Sequence, residues 1–230
     1  MEKIFQEITG RIEDHLIWSD ELKAKINKFA LDPILSLKKK ADSEGFNLQI
    51  ASAFRSFSRQ EDIWNKKMKG VKPIHDHFNR LLDPKDLTPK ELVFAILKWS
   101  AIPGTSRHHW GTDFDYFDGN ALSGDYKIQL IPEEYLEGGI FNPLYLWLKD
   151  NASEFGFYFP YNEERGGVCP EPWHLSYFPQ AKLYQNRFSL DFYLENLKNS
   201  PIEGKEILFK EAALIFKKYI LNTSPFNSIS

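Results

Sequence analysis

The chain has 230 residues, with 29 Lys and Arg against 32 Asp and Glu, a formal charge of −3, and 42% hydrophobic and 27% charged residues. This is a globular composition, sized for one domain or one domain with a helical appendage, and it excludes wholesale disorder. No basic excess exists to neutralise a phosphate backbone, so no nucleic-acid partner is expected. The single cysteine, Cys169, excludes an internal disulfide and a cysteine-only metal cluster. No run reaches the ~18 apolar residues of a membrane span. The start, Met1-Glu2-Lys3-Ile4-Phe5-Gln6-Glu7, lacks the apolar stretch of a secretory signal. The expected compartment is the cytoplasm, or the periplasm or exterior if an export leader has been removed.

In chain order, residues 1–45 read as a helical segment packed on the core. Asp32-Pro33 supplies an N-cap and a first-turn proline, and Gly45 a stop. Phe46 to Ala53 alternates with period two and predicts a strand. Ser58-Arg59-Gln60-Glu61 and Thr88-Pro89-Lys90-Glu91 each have the spacing of a capping box, so a helix is expected after both, with an irregular excursion over 69–87. Strands are expected at Thr112–Phe117, Phe157–Phe159 and Trp173–Phe178, with a helix from Asn142-Pro143 to about Gly156. Residues 181–230 read as a second helical segment, with one long amphipathic helix over Glu203–Leu221. Helices, scattered strands, then helices again predict an α+β fold: a small antiparallel sheet flanked by helices, with its core over 46–180, in one compact domain overall.

Histidine is scarce, and three of the six fall in two dense polar stretches, Ser106-Arg107-His108-His109-Trp110-Gly111-Thr112-Asp113-Phe114-Asp115 and Glu171-Pro172-Trp173-His174. Two imidazoles and a carboxylate fill the protein side of a catalytic zinc site, which keeps a fourth position open. The helical His-Glu-x-x-His pattern is absent, so such a site has to be assembled from strands and loops. Pro172 biases Glu171 away from helical geometry. A loop feeding a strand then lets His174 bind metal while Glu171 overhangs the open position as a proton acceptor. Asp113 and Asp115 point the same way on a strand, so spacing does not choose between them. His75-Asp76-His77 looks metal-like but has no third partner nearby in sequence and reads as a solvated loop. Trp110 and Trp173 flank the candidate ligands, as packing or as walls for a substrate.

Ser106-x-His108-x-x-Gly111-x-x-x-Asp115 followed by Glu171-x-Trp173-His174 resembles the zinc signature of D-alanyl-D-alanine carboxypeptidases and dipeptidases of the VanY/VanX type. Upstream, Ser52-Ala53-Phe54-Arg55-Ser56, with Gln60 after it, resembles that family's Ser-Gly-Tyr-Arg-Ser segment. The resemblance implies the hedgehog/DD-carboxypeptidase scaffold and one zinc ion held by His108, Asp115 and His174. It implies Glu171 as general base and acid, Arg55 as stabiliser of the oxyanion, and Ser106, Gln60 and Trp173 in substrate binding. Ala53 and Phe54 depart from the family's glycine and tyrosine, and Asp113 stands where a small residue is common.

The implied activity is hydrolysis of the terminal D-Ala bond of a peptidoglycan stem peptide by metal-activated water. L,D-carboxypeptidase, D-Ala-D-Ala dipeptidase and cell-wall endopeptidase activities use the same machinery and stay open. A non-catalytic, zinc-stabilised binding module is the remaining alternative, and Glu171 argues against it because a structural zinc needs no base. The implied partner is a peptidoglycan-derived peptide; the oligomeric state is left open.

Overall fold

A computed structural model describes residues 2–226; the outermost positions of both expected helical segments, residue 1 and residues 227–230, lie outside it. The first segment is not all helix. Helix α1 (Lys3–Ile8) is followed by an antiparallel hairpin, β1 (Leu16–Ser19) with β2 (Ala24–Asn27), and then by α2 (Leu31–Ser43). The α2 start falls just before Asp32-Pro33, and Gly45, at φ +91°, closes its end as expected. The hairpin escapes the hydrophobic pattern because it is fixed from a distance. The Asn27 N–H donates to the Gly111 carbonyl at 2.8 Å, and its side-chain amide donates to the Trp110 carbonyl at 3.0 Å.

Strand β3 (Leu48–Ser52) leads to α3 (Phe57–Met68). The cap is Ser56 rather than Ser58: its hydroxyl accepts from the Arg59 N–H at 3.2 Å. The 69–87 excursion contains a two-residue hairpin, β4 (Ile74–His75) with β5 (Leu81–Leu82). Helix α4 (Pro89–Leu97) begins at Thr88 with the full reciprocal capping box read from the sequence. Strand β6 (Asp113–Asp118), short α5 (Pro132–Tyr135), α6 (Asn142–Asn151), β7 (Phe157–Tyr158) and β8 (His174–Tyr177) complete the middle of the chain.

The C-terminal part is α7 (Phe178–Gln185), α8 (Leu190–Lys198), α9 (Lys205–Lys210) and α10 (Ala212–Ile215). The single helix expected over 203–221 is broken. A kink at Glu211 separates α9 from α10, and a π-turn at Phe216–Ile220 follows.

The strands that matter form one antiparallel sheet in the order β3-β6-β8-β7, an α+β architecture as expected. Its core is aromatic and aliphatic, with Phe114, Tyr116, Leu48, Leu148, Phe157 and Leu175 buried between sheet and helices. A second cluster joins α3 and α4 to the C-terminal helices through Trp64, Val93, Ile96, Tyr193, Leu197 and Leu208. A third packs Trp110 on Ile8, Tyr184 and Phe188. Both chain ends therefore clamp the segment that precedes β6.

That segment turns on Gly111, at φ +65°, which ends a 3₁₀ turn over Arg107–Trp110. A Cβ here would stand 2.5 Å from Leu16 Cδ2 and 2.9 Å from the backbone nitrogen of Asn27. Gly111→Ala therefore meets both a left-handed conformation and the hairpin. The expected loss is at least about 1–2 kcal/mol from the backbone conformation alone, read as a lowered midpoint in thermal unfolding.

Candidate metal centre

The sheet register brings the candidate residues together. Asp115 of β6 lies directly opposite His174 of β8, and Ser52 of β3 lies opposite Asp115 on the other side. A register shift between Ile50 and Ser52 turns the end of β3 out of the ladder toward Arg55. His108 arrives from the 3₁₀ turn before β6, where the Arg55 N–H donates to its carbonyl at 3.1 Å. Glu171 opens a turn in which its carbonyl accepts from the His174 N–H at 3.0 Å, with Pro172 at the favoured second position.

His108, Asp115 and His174 are all buried, and each offers a ligand atom within 4.8 Å of the others. His108 Nδ1 lies 2.8 Å from the Ala53 carbonyl, which can only accept, so its Nε2 lone pair faces Asp115 Oδ2 at 3.4 Å. His174 Nε2 lies 3.0 Å from Asp113 Oδ1, so Nδ1 is the nitrogen turned toward Asp115 Oδ1, at 3.6 Å, and Glu171 Oε2, at 3.1 Å. Tetrahedral zinc with bonds of about 2.0–2.2 Å spaces its ligand atoms about 3.4 Å apart. Asp115 Oδ1 is buried with no hydrogen-bond partner, which is costly unless a cation takes the place of a donor. These residues fit a zinc ion.

The electrostatics follow from burial and from two arginines. Burial alone would raise Asp113, but the Arg107 guanidinium, with His174 and Thr112, holds it well below the usual carboxylate range. Asp115 is also lowered: against burial, His108, His174 and Arg55 favour its charged form. Burial opposes a charge on His174, yet hydrogen bonds to Asp113 and Glu171 outweigh it and push the imidazole up to about 9. His109 goes the other way. Buried, with Nδ1 against the Arg55 carbonyl at 2.5 Å and Nε2 accepting from the Gly104 N–H at 3.0 Å, it is pushed down to about 3.

A cleft of about 280 Å³ opens over the cluster, lined among others by Arg55, Ser106, His108, Asp115, Glu171, Trp173 and His174. Trp173 stacks on Trp99 there, with centroids 6.3 Å apart. Gln60 is placed differently from its expected role. It is fully buried, and its amide accepts from Arg55 Nη1 at 2.9 Å and donates to the Ala101 carbonyl at 2.8 Å, so it braces Arg55 instead of facing a substrate.

Trp110 packs in the core under Arg107, away from the cleft. His75 is not simply solvated: it lines the cleft with Asn79, whereas His77 lies against Phe78. Cys169 is buried, its thiol pushed up to about 12 by desolvation.

Three further groups stand at the site in roles that the motifs did not assign. Tyr161 packs edge-on to His174, at 5.1 Å between centroids. Arg107 and Asp113 form a buried ion pair at 2.7 Å. Half-buried Lys67 donates to Ser100 Oγ at 2.7 Å, and burial lowers it to about 8. Only the Arg107/Asp113 pair had a trace in sequence, as a second acid two residues from Asp115.

Fold and donor set together define an α+β protein with a candidate metal site of the hydrolase kind. A family model described as VanY: D-alanyl-D-alanine carboxypeptidase matches residues 23–180, and the chain belongs to that family.

An uncharacterized protein of Haemophilus influenzae is 38% identical over 122 residues, 52% of this chain and 93% of that one. A D-alanyl-D-alanine carboxypeptidase of Enterococcus faecalis is 28% identical over 165 residues, 69% of this chain and 51% of that protein. Among solved structures, VanYB in complex with D-alanine-D-alanine has a TM-score of 0.51 at 24% identity, covering 78% of this chain and 87% of that one, a likeness of fold alone. A point mutant of the vancomycin-resistance D,D-pentapeptidase VanY, in complex with Zn(II), gives 0.50 at 26% identity, covering 78% and 88%. The LD-carboxypeptidase LdcB gives 0.50 at 24%, covering 79% and 78%.

The two most strongly shifted histidines, His109 and His174, make the metal-free protein pH-sensitive in opposite directions. From pH 6.5 down to about 3, only the unfolded chain binds a proton at residue 109, so stability falls as pH drops. From pH 6.5 up to about 9, only the folded chain holds one at His174, so stability falls as pH rises. Urea unfolding with chelator present is expected to show a maximum near pH 6.5. The His109 and His174 contributions each change by about 1.4 kcal/mol per pH unit, and the alkaline fall should level off above about pH 8, where the lowered Lys67 acts in the opposite direction. Zinc should flatten the alkaline limb, because a ligating imidazole must be deprotonated.

Proposed function

We propose that this chain is a zinc-dependent carboxypeptidase that removes the terminal D-Ala of a peptidoglycan stem peptide. One observation carries the reading: His108 Nε2, His174 Nδ1 and the unpartnered oxygen of Asp115 converge under a cleft, with the Glu171 carboxylate beside them. Family membership supports the substrate class. The three ligand residues would hold a single zinc ion. Bound there, zinc supplies Lewis acidity, polarising a carbonyl and bringing the pKa of water to about 7.

The chain's own groups do the rest. Glu171 Oε2 takes a proton from the attacking water and returns it to the leaving amine nitrogen. Arg55, 3.9 Å from Asp115 and braced by Gln60, presents a guanidinium to the developing oxyanion. Ser106 holds the substrate's terminal carboxylate. Lys67, behind cleft-lining Ser100 and with no carboxylate in ion-pair range among the described residues, adds positive potential that suits a substrate ending in an anion. The stacked pair Trp99 and Trp173 walls the peptide stem.

Glu171→Ala is expected to keep one zinc per chain while kcat on a D-Ala-terminated pentapeptide stem falls by about 10²–10⁴-fold. Metal analysis of the purified variant, with mass spectrometry of products from muropeptides, checks both halves. Full turnover by the variant would remove the mechanism. Release of D-Ala from tetrapeptide stems alone would reassign the enzyme as an L,D-carboxypeptidase.

A further inference from the structure

At Nε2 of His174, the nitrogen turned from Asp115 and Glu171, sits a polar assembly that the proposed reaction does not use. Asp113 is fully buried. Its Oδ1 accepts from Arg107 Nε at 2.7 Å and faces His174 Nε2 at 3.0 Å, while Oδ2 accepts from the Thr112 hydroxyl at 2.6 Å. Arg107, also buried, donates from Nη2 to Ser176 Oγ at 2.7 Å and the Tyr158 hydroxyl at 3.2 Å, and from Nη1 to Gln185 Oε1 at 3.2 Å. Its plane lies over Trp110, 4.7 Å from the ring centroid. These bonds hold one carboxylate in one orientation, and that carboxylate touches the imidazole.

A buried ion pair is a poor device for stability, since well-packed apolar residues of the same volume often do as well or better. Its value lies in direction. Asp113 is two residues from Asp115 on the same face of β6, diagonal to His174 across the ladder. With the Nε2–H committed to Asp113, only Nδ1 is left to face Asp115 and Glu171, and a ring flip would break that bond. A carboxylate on the far nitrogen also makes the near one a better donor to a metal.

We propose that Asp113 is a positioning residue for His174, held by Arg107, and that this pair sets how tightly the site grips its metal. The inference rests on the reading of His174 as a ligand.

The test is a zinc competition titration against a chromophoric chelator, with the His174 N–H proton of the zinc-loaded protein followed by NMR. Asp113→Ala is expected to weaken zinc binding by about 10–100-fold, and to move the N–H proton upfield and speed its exchange with water. Asp113→Asn keeps an acceptor without the charge and is expected to fall between Asp113→Ala and the parent. If Asp113→Ala fails to fold because it strands Arg107, the double variant Arg107→Met with Asp113→Leu removes both charges and should show the same loss of affinity. Parental zinc affinity in a folded variant lacking Asp113, with the N–H signal unchanged, would overturn the proposal. His174→Ala separates the two readings. Loss of zinc in His174→Ala but not in the Asp113 variants sinks only the positioning role, whereas unchanged zinc binding in His174→Ala sinks the ligand assignment beneath it.

Discussion

Asp115 opposite His174 in the β6–β8 ladder is the contact on which the rest of the site depends. Side chains directly opposed in an antiparallel pair share a face, and a slip of one residue would send His174 to the other side of the sheet. The register is held by the packing of Phe114, Leu175 and Tyr116, by the Tyr116 hydroxyl on the Pro172 carbonyl at 2.9 Å, and by the Tyr116 N–H on the Trp173 carbonyl at 3.1 Å. The two Tyr116 bonds tie β6 to the turn that carries Glu171. The apolar core therefore determines which polar atoms meet.

Three acids, Asp113, Asp115 and Glu171, crowd one imidazole in a buried place, and the fold divides the compensating charge. Arg107 stands behind His174, enclosed by hydrogen bonds and by Trp110. Arg55 stands at the cleft side, where Gln60 accepts from one end of its guanidinium and His109 takes its backbone carbonyl. His109 is thus the link between the Arg55 segment and the Pro103-Gly104 turn, and it has to stay neutral to accept from Gly104. Gly10 keeps the same spot open: a Cβ there would lie 2.5 Å from His109 Nδ1.

The sequence was legible where chemistry is local. The Thr88–Glu91 box, the period-two run of β3 and the glycine stop at 45 are decided by neighbours in the chain, and so they read correctly. That His108, Asp115 and His174 are candidates was legible too, because few residue types bind zinc, and the fold brings the three together. The β1–β2 hairpin was not, since Asn27 is fixed by a backbone 84 positions away. Gln60 read as a substrate residue because a motif gives identity without direction. The long C-terminal helix misread for a related reason: its apolar positions run on past Glu211, where the structure breaks it, and the cluster those positions join also holds residues of α4 and α8, which are distant in sequence. Asp113 shows the limit most clearly. Its alternation with Asp115 put it on the correct face, but its partner on His174 depends on the register of a strand sixty residues downstream.

The division between sheet and loops separates the candidate metal cluster from the rest of the cleft. The metal side of the cleft comes from the ladder and its adjoining turns, where a small shift would disorder several buried charges at once. The opposite walls come from elsewhere: His75 and Asn79 of the small hairpin, Gln129 to Ile131 before α5, Val168, and Tyr219 from the C-terminal π-turn. These positions carry no part of the His–Asp–His cluster, so they can change length and side chain without disturbing it. Tyr219 lies outside the stretch that matches the family model. Seating the π-turn against the cleft requires α8 to α10 to pack on α3 and α4, which is the second hydrophobic cluster. The C-terminal helices thus do more than cover the core. They deliver one wall of the cleft, while the His–Asp–His cluster is set by the sheet and its adjoining turns.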